Sequence, residues 1–300
     1  MGNRSGKLAE GRSMNSKEDN KFDASLSISE NIKTTGFTQA QTPVKNYLPV
    51  FVSLRQQLNI QHSSSIGKDN QDIDDCIKIG NTFVFTDWKH RQLTIYNVAR
   101  TGIDRIPLRY APYYITSIDC YTVAVSCTYY KTILIINLSG SVTSSIETSG
   151  YCHGISYNDN NLYVVIGVSI IHMIDMTGKV IRTIPPPSYH IHDITVDRDR
   201  LVFINNTSIY CCSLDGKQMW NFKNDKFQDL YRVKTDDERN VYVTDRIKND
   251  VVVISDDGNH HRELLSESDG LYMPLGIYFD KKENILLACN VNDRKVLFST

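Results

Sequence analysis

Two histidines carry the most specific chemical possibility in this sequence. His153, in CHGI, and His192, in IHDI, lie 39 residues apart. Two imidazoles on neighbouring strands, with Asp193 beside one of them, could begin a zinc ligand set, which at catalytic centres needs three protein ligands and an open position. Such a site would make the chain a metal-dependent hydrolase or lyase. At the matching spacing, however, the sequence offers Thr116, Tyr231 and Leu275, where a Glu or a third His would be required. Strand alternation also turns Asp193 away from His192. We therefore read His153 and His192 as channel-mouth side chains and expect no metal and no other cofactor. No Gly-x-Ser-x-Gly elbow, phosphate-cradling glycine loop or spaced carboxylate pair stands out. No catalytic residue and no small-molecule substrate are expected.

A second constellation is aromatic and basic. One set of predicted loops holds Trp88, Lys89 and Arg91, then Tyr129, Tyr130 and Lys131, then Arg246 and Lys248, and finally Arg294. The connections between repeats add Arg109, Tyr113, Tyr114 and Tyr151, then Tyr189, Phe227 and Tyr272. Tyr, Trp and Arg give large contact area for little ordering entropy, so these residues form a candidate face for a protein or peptide partner. The same residue types could stack RNA bases and neutralise phosphates, which is the alternative reading. Charge disfavours it. The chain has 33 basic and 34 acidic residues, and residues 46–300 keep 26 basic against 29 acidic. A net charge of −3 is unusual for an RNA-binding domain.

The elements that would position these groups follow from a repeat. Short polar turns end in Gly102, Gly140, Gly178, Gly216 and Gly258, at gaps of 38, 38, 38 and 42 residues. Each period contains about four short apolar, β-branched runs, the mark of a β-propeller blade. Asn240 to Gly258, NVYVTDRIKNDVVVISDDG, shows two strands and two turns of one unit. Inner, second and third strands can be counted six times between residue 73 and the C-terminus, but outer strands only five times. The run YLPVFVSLRQQL at 47–58 supplies the missing one, and residues 50–57 should pair beside Lys295 to Ser299. Pro49 sits at the start of that strand, where a missing N–H is tolerated. The expected fold is all-β: a six-bladed propeller over 46–300, closed by its N-terminal strand so that no edge stays open. Residues 1–45 are polar and aperiodic and are read as a disordered tail.

Several residues have plain structural explanations. Pro185 to Pro187 should stiffen a connection, and Trp220 in MWNF should pack on an outer strand. Asp197, Asp236 and Asp280 close inner strands and should cap turns by accepting backbone N–H bonds. The seven cysteines mostly sit inside apolar strands, as expected of reduced thiols in a cytoplasmic protein. No run of 18 apolar residues could span a bilayer, and MGNRSGKLAEGRSMNSK lacks the apolar region of a secretory signal.

Asn240-Val-Tyr-Val-Thr-Asp245 followed by Asn249-Asp250-Val-Val-Val-Ile254 resembles an NHL repeat. Pro274 to Asp280, with Asn284 to Ala288 and Arg294 to Val296, is similar, and Asp87 to Arg91 keeps a trace of the pattern. The resemblance is to the C-terminal propellers of tripartite-motif (TRIM-NHL) proteins and spans about 47–300. It implies a non-catalytic interaction module or scaffold linked to ubiquitin-ligase pathways, with RNA binding known among relatives. The sequence holds no closely spaced Cys and His pairs for a RING finger and no heptad run. Ligase chemistry by this chain alone is therefore not expected.

Overall fold

The computed structural model describes residues 54–59, 73–98, 102–291 and 295–299, the backbone alone for the first and last of these stretches. The tail expected at 1–45, the beginning of the 47–58 strand and Arg294 lie outside them. β1 spans Leu54–Asn59. A first sheet follows: β2 (Ile73–Ile79), β3 (Thr82–Asp87), β4 (Gln92–Asn97) and β5 (Gly102–Pro107). The second holds β6 (Tyr114–Ser117), β7 (Thr122–Cys127), β8 (Thr132–Asn137) and β9 (Ser141–Glu147). The third holds β10 (Cys152–Asn158), β11 (Asn161–Ile166), β12 (Ile170–Asp175) and β13 (Val180–Ile184). The fourth runs β14 (Asp193–Asp197), β15 (Arg200–Ile204), β16 (Ser208–Ser213) and β17 (Gln218–Lys223). The fifth runs β18 (Leu230–Thr235), β19 (Val241–Asp245), β20 (Asp250–Ile254) and β21 (His261–Leu265). The last has β22 (Pro274–Asp280), β23 (Ile285–Asn290) and β24 (Lys295–Ser299). These strands form six four-stranded antiparallel sheets, with β1 hydrogen-bonded to β24 in the last. The fold is a β-propeller.

β1 pairs with β24 as expected and runs two residues past the expected end at 57. Leu54 pairs with Ser299 and Asn59 with Lys295, with a shift between Leu54 and Gln56. Gly102 differs too: it opens β5, whereas Gly140, Gly178, Gly216 and Gly258 sit in third-to-outer-strand turns at positive φ. At Gly258, φ is +72°, and a Cβ would stand 2.6 Å from the Trp220 ring of the preceding sheet. Only glycine fits both constraints.

The second and third strands of each sheet are rich in Val, Ile and Leu because both of their faces are covered. Outer strands alternate or stay exposed; β9 buries only Ile146. The core lies between consecutive sheets. Ile77 and Val84 pack against Ile115 and Val125, and so on around the molecule to Phe83 and Phe85 of the first sheet against Leu287 and Cys289 of the last. Inner strands are also tied by side chains that accept a backbone N–H from the next sheet. Asp75 takes Ile115 N (3.1 Å), Thr116 takes Tyr157 N (3.3 Å), Ser156 takes Val196 N (3.0 Å) and Asp193 takes Val233 N (3.0 Å). Close approach of β10 to β14 requires Gly154, whose Cβ would lie 2.6 Å from the Asp193 Cα.

Turn capping by aspartates is seen at two of the three expected positions. Asp236 accepts from Asn240 N (2.8 Å), and Asp280 accepts from Lys282 N (3.0 Å). Asp197 instead pairs with Arg200 at 3.4 Å and Lys281 at 3.1 Å. Of the seven cysteines only Cys120 is exposed, and all are unpaired thiols. No helix among the described residues is long and apolar enough to cross a membrane.

Candidate functional site

The strand starts and second-to-third-strand loops gather on one face, and the structure builds an aromatic row there. Trp88 stacks on Tyr113 at 6.3 Å between ring centroids. Tyr113 meets Tyr129 edge-on at 5.4 Å, and Tyr129 meets Tyr151 at 6.1 Å. The row thus crosses three consecutive sheets. Beside it Tyr110 stacks on Tyr130 at 4.6 Å. Cations lie over its flanks: Lys131 is 5.6 Å from the Tyr151 centroid and Arg109 is 5.2 Å from that of Tyr110. The rings remain open to solvent, with Tyr129 67%, Tyr151 50% and Trp88 38% exposed. Tyr129 and Tyr130 are held out by a 3-10 turn over Thr128–Tyr130, closed by Lys131 in the left-handed region. Tyr113 is half-buried, and burial together with the neighbouring tyrosines pushes its phenol up to about 12.

Other expected members of the face stand differently. Lys89 and Arg91 are exposed in the β3–β4 turn. Tyr189 and Tyr272 are exposed on their own connections, away from the stacked row. Arg246 is partly neutralised, its Nε bonding Asp229 at 2.6 Å, and Lys248 is half-buried. Two expectations are corrected. Phe227 is only 6% exposed, packed on Phe222 in the core between the fourth and fifth sheets, where an apolar ring is more stable than in water. Tyr114 is equally buried, because its ring carries the guanidinium of Arg232 at 3.9 Å.

That guanidinium is the centre of a polar plug in the channel. Arg232 is fully buried; it ion-pairs with Asp74, stands 3.5 Å from Asp75, and donates to Tyr113 O (3.0 Å) and Tyr231 O (3.2 Å). The Tyr231 ring lies 4.5 Å from it, and the Tyr231 hydroxyl donates to Asp74 at 3.0 Å. Burial raises the Asp74 and Asp75 carboxyls, and Arg232 opposes that rise. Sequence reading missed Asp74, Asp75 and Arg232. Their signal was charge inside otherwise apolar inner strands, in IDDCIKI and LYRVKT.

His153 and His192 flank this plug. Burial, then the nearby His192 and Arg232, lowers the His153 imidazole to about 4, so it is neutral at physiological pH. His192 Nε2 bonds Asn206 Oδ1, and Asn206 bonds Asp229 at 3.2 Å. Among the described residues no group of three or more His, Cys, Asp or Glu comes together as a metal site.

The structure is thus a β-propeller with a solvent-accessible aromatic row beside a plugged channel mouth. Solved structures share the fold, among them two lyases. Virginiamycin B lyase from Staphylococcus aureus superposes with a TM-score of 0.60 at 15% identity, over 83% of this chain and 99% of that one. A streptogramin B lyase superposes with a TM-score of 0.60 at 12% identity, over 83% and 97%. No family model and no curated protein sequence matches the chain, so the NHL resemblance rests on the quoted residues alone. The lyases correct the expectation that this chain does no catalysis. Propellers sharing its fold are enzymes, so the fold gives no ground for excluding a reaction, although identity this low transfers none.

Proposed function

We propose that the chain is a six-bladed propeller, with β1 completing the last sheet, that binds a protein or peptide segment on the row Trp88–Tyr113–Tyr129–Tyr151. The observation that carries this reading is the row itself. Exposed aromatic rings are costly to leave in water unless something covers them, and rings already stacked on one another lose little freedom when covered. A protein partner suits the charge better than RNA does, because Arg246 is engaged by Asp229 and the propeller is net acidic. The link to ubiquitin-ligase pathways rests on the NHL resemblance. Affinity capture from native extract would compare the intact chain with a Tyr129→Ala, Tyr151→Ala variant, each with and without nuclease. Proteins recovered equally after nuclease and lost in the variant support the reading. Capture indifferent to the variant overturns it, and recovery that collapses with nuclease favours RNA.

A second reading has one specific observation behind it. A lyase needs a base to accept a proton, and His153 is held neutral at a channel mouth. Its low basicity makes it a weak general base at neutral pH, which ranks this reading second. Incubation with a streptogramin B would test it. Product formed by the intact chain and lost in His153→Ala supports a lyase, and no product from either removes this substrate class.

A further inference from the structure

The opposite end of the channel holds a cavity of about 310 Å³. Its wall is a ring of side chains at equivalent positions on the six inner strands: Ile77, Thr116, Ser156, Thr195, Lys234 and Tyr278. Two residues earlier on those strands stand Asp75, Tyr114, Gly154, Asp193, Arg232 and Gly276, which include the plug, so the cavity is a blind pocket with a polar floor. That is room for a ligand of several heavy atoms.

The hydrogen-bonding state of this wall is unusual. The Thr116 and Ser156 hydroxyls each accept a backbone N–H from the neighbouring strand, at 3.3 and 3.0 Å. A hydroxyl that accepts still has its own proton to give. Thr195 lines the same level and is buried. Lys234 brings an ammonium with three protons on a side chain only 14% exposed. Its nearest acidic partner, Asp193, is 3.9 Å away, beyond hydrogen-bonding distance, and already accepts Val233 N at 3.0 Å. Asp75 is likewise committed, to Ile115 N and to Arg232. At the rim, Lys78 is bound by Asp280 at 2.5 Å and Glu283 at 2.8 Å, and Lys281 by Asp197 at 3.1 Å. Lys78 and Lys281 are therefore satisfied at the rim, where Lys282 also stands, while the wall presents several donors and a cation whose carboxylate partner lies beyond hydrogen-bonding distance.

We propose that this pocket binds a small carboxylate, its oxygens held by the Lys234 ammonium and by the hydroxyls of Thr116, Ser156 and Thr195. A carboxylate offers about four acceptor sites on two oxygens, which matches this donor set. The site is separate from the aromatic row, on the other side of the plug, so it stands or falls independently of the partner-binding reading.

The test is calorimetric titration of the intact chain with acetate, succinate and inorganic phosphate, against chloride at equal ionic strength. The expected result is saturable binding of a carboxylate in the millimolar range or tighter, below about 20 mM. Binding should weaken by about tenfold or more in Lys234→Met, because a charge-assisted bond is lost, and measurably in Thr195→Val. Thr195→Val preserves shape and serves if Lys234→Met fails to fold. Tyr129→Ala should bind as the wild type does. No carboxylate heat up to that concentration, or affinity unchanged in both pocket variants, overturns the proposal. Phosphate binding without carboxylate binding overturns the ligand class.

Discussion

Replacing Arg232 by Met tests whether the plug holds the inner strands together. Met fills similar volume without charge. The change leaves Asp74 and Asp75 buried without their cation, and strips donors from Tyr113 O and Tyr231 O. Removing one partner of a buried ion pair costs about 3–5 kcal/mol. For a domain of this size that corresponds to a fall in melting temperature of about 6–20 °C. The pH dependence is more diagnostic. Both carboxyls are already raised by burial, and Arg232 is the strongest influence holding them down. Without it they rise further, so the folded variant binds protons more readily than its unfolded chain. A folded-state value above the unfolded one gives stability that is present at low pH and lost as pH climbs through the folded value. The deficit of Arg232→Met against wild type should therefore be largest near pH 8 and shrink towards pH 5, by about 1.4 kcal/mol for every tenfold gain in a carboxylate's proton affinity. Urea denaturation at both pH values, followed by tryptophan fluorescence, reads this directly. A deficit under about 1 kcal/mol, or one equal at both pH values, would refute the argument.

Three further outcomes follow from separate contacts. Gly258→Ala should cost about 2–3 kcal/mol in denaturant melts, since the methyl meets the Trp220 ring at positive φ, whereas Gly140→Ala, with open space around it, should cost about 1 kcal/mol. Asp250 has a buried Oδ1 without a partner, and burial, then Asp245 and Glu263, raise its carboxyl to about 7; Asp250→Asn should therefore gain about 1 kcal/mol or more at pH 8, less at pH 5 and nothing near pH 4, because the ionised form is the costly one. Deleting residues 46–60 removes β1 and bares the β24 edge, so light scattering should show association and the melting temperature should fall; an unchanged monomer would sink the closing role of β1.

How far the fold was legible depended on what a repeat can report. The turn glycines gave the period because Gly140, Gly178, Gly216 and Gly258 share a backbone requirement at positive φ, set locally. The missing outer strand pointed to β1, and Leu54–Asn59 pair with β24 as expected, two residues beyond the expected end at 57, because apolar content alone does not fix where a strand stops when its partner lies across the whole chain. The aromatic row was legible as composition on one set of loops, not as geometry. Phe227 and Tyr114 looked the same as Tyr129 in sequence, since a ring in a connection can turn inward or outward. What decides is a contact with no local signature: the core beneath Phe227, and the Arg232 guanidinium over Tyr114.

The plug shows why the channel has chemistry at both ends. Arg232 and its partner Asp74 are separated by 158 residues, and they meet because β2 and β18 are both inner strands, with Asp75, the neighbour of Asp74, level with Arg232. Burying that pair is expensive, which argues for a specifying role rather than a stabilising one. The geometry supplies such a role. The guanidinium grips Tyr113 O, within the aromatic row, on one side. On the other, Asp75 beside it lies at the floor of the Lys234 pocket and feels both cations. An apolar filler of equal volume could close the channel, but it could not tie the backbone beneath the row to the charge balance of the pocket. The ties present are those of Arg232 to Asp74, Asp75 and Tyr113 O, while Lys234 acts on Asp75 through its charge alone.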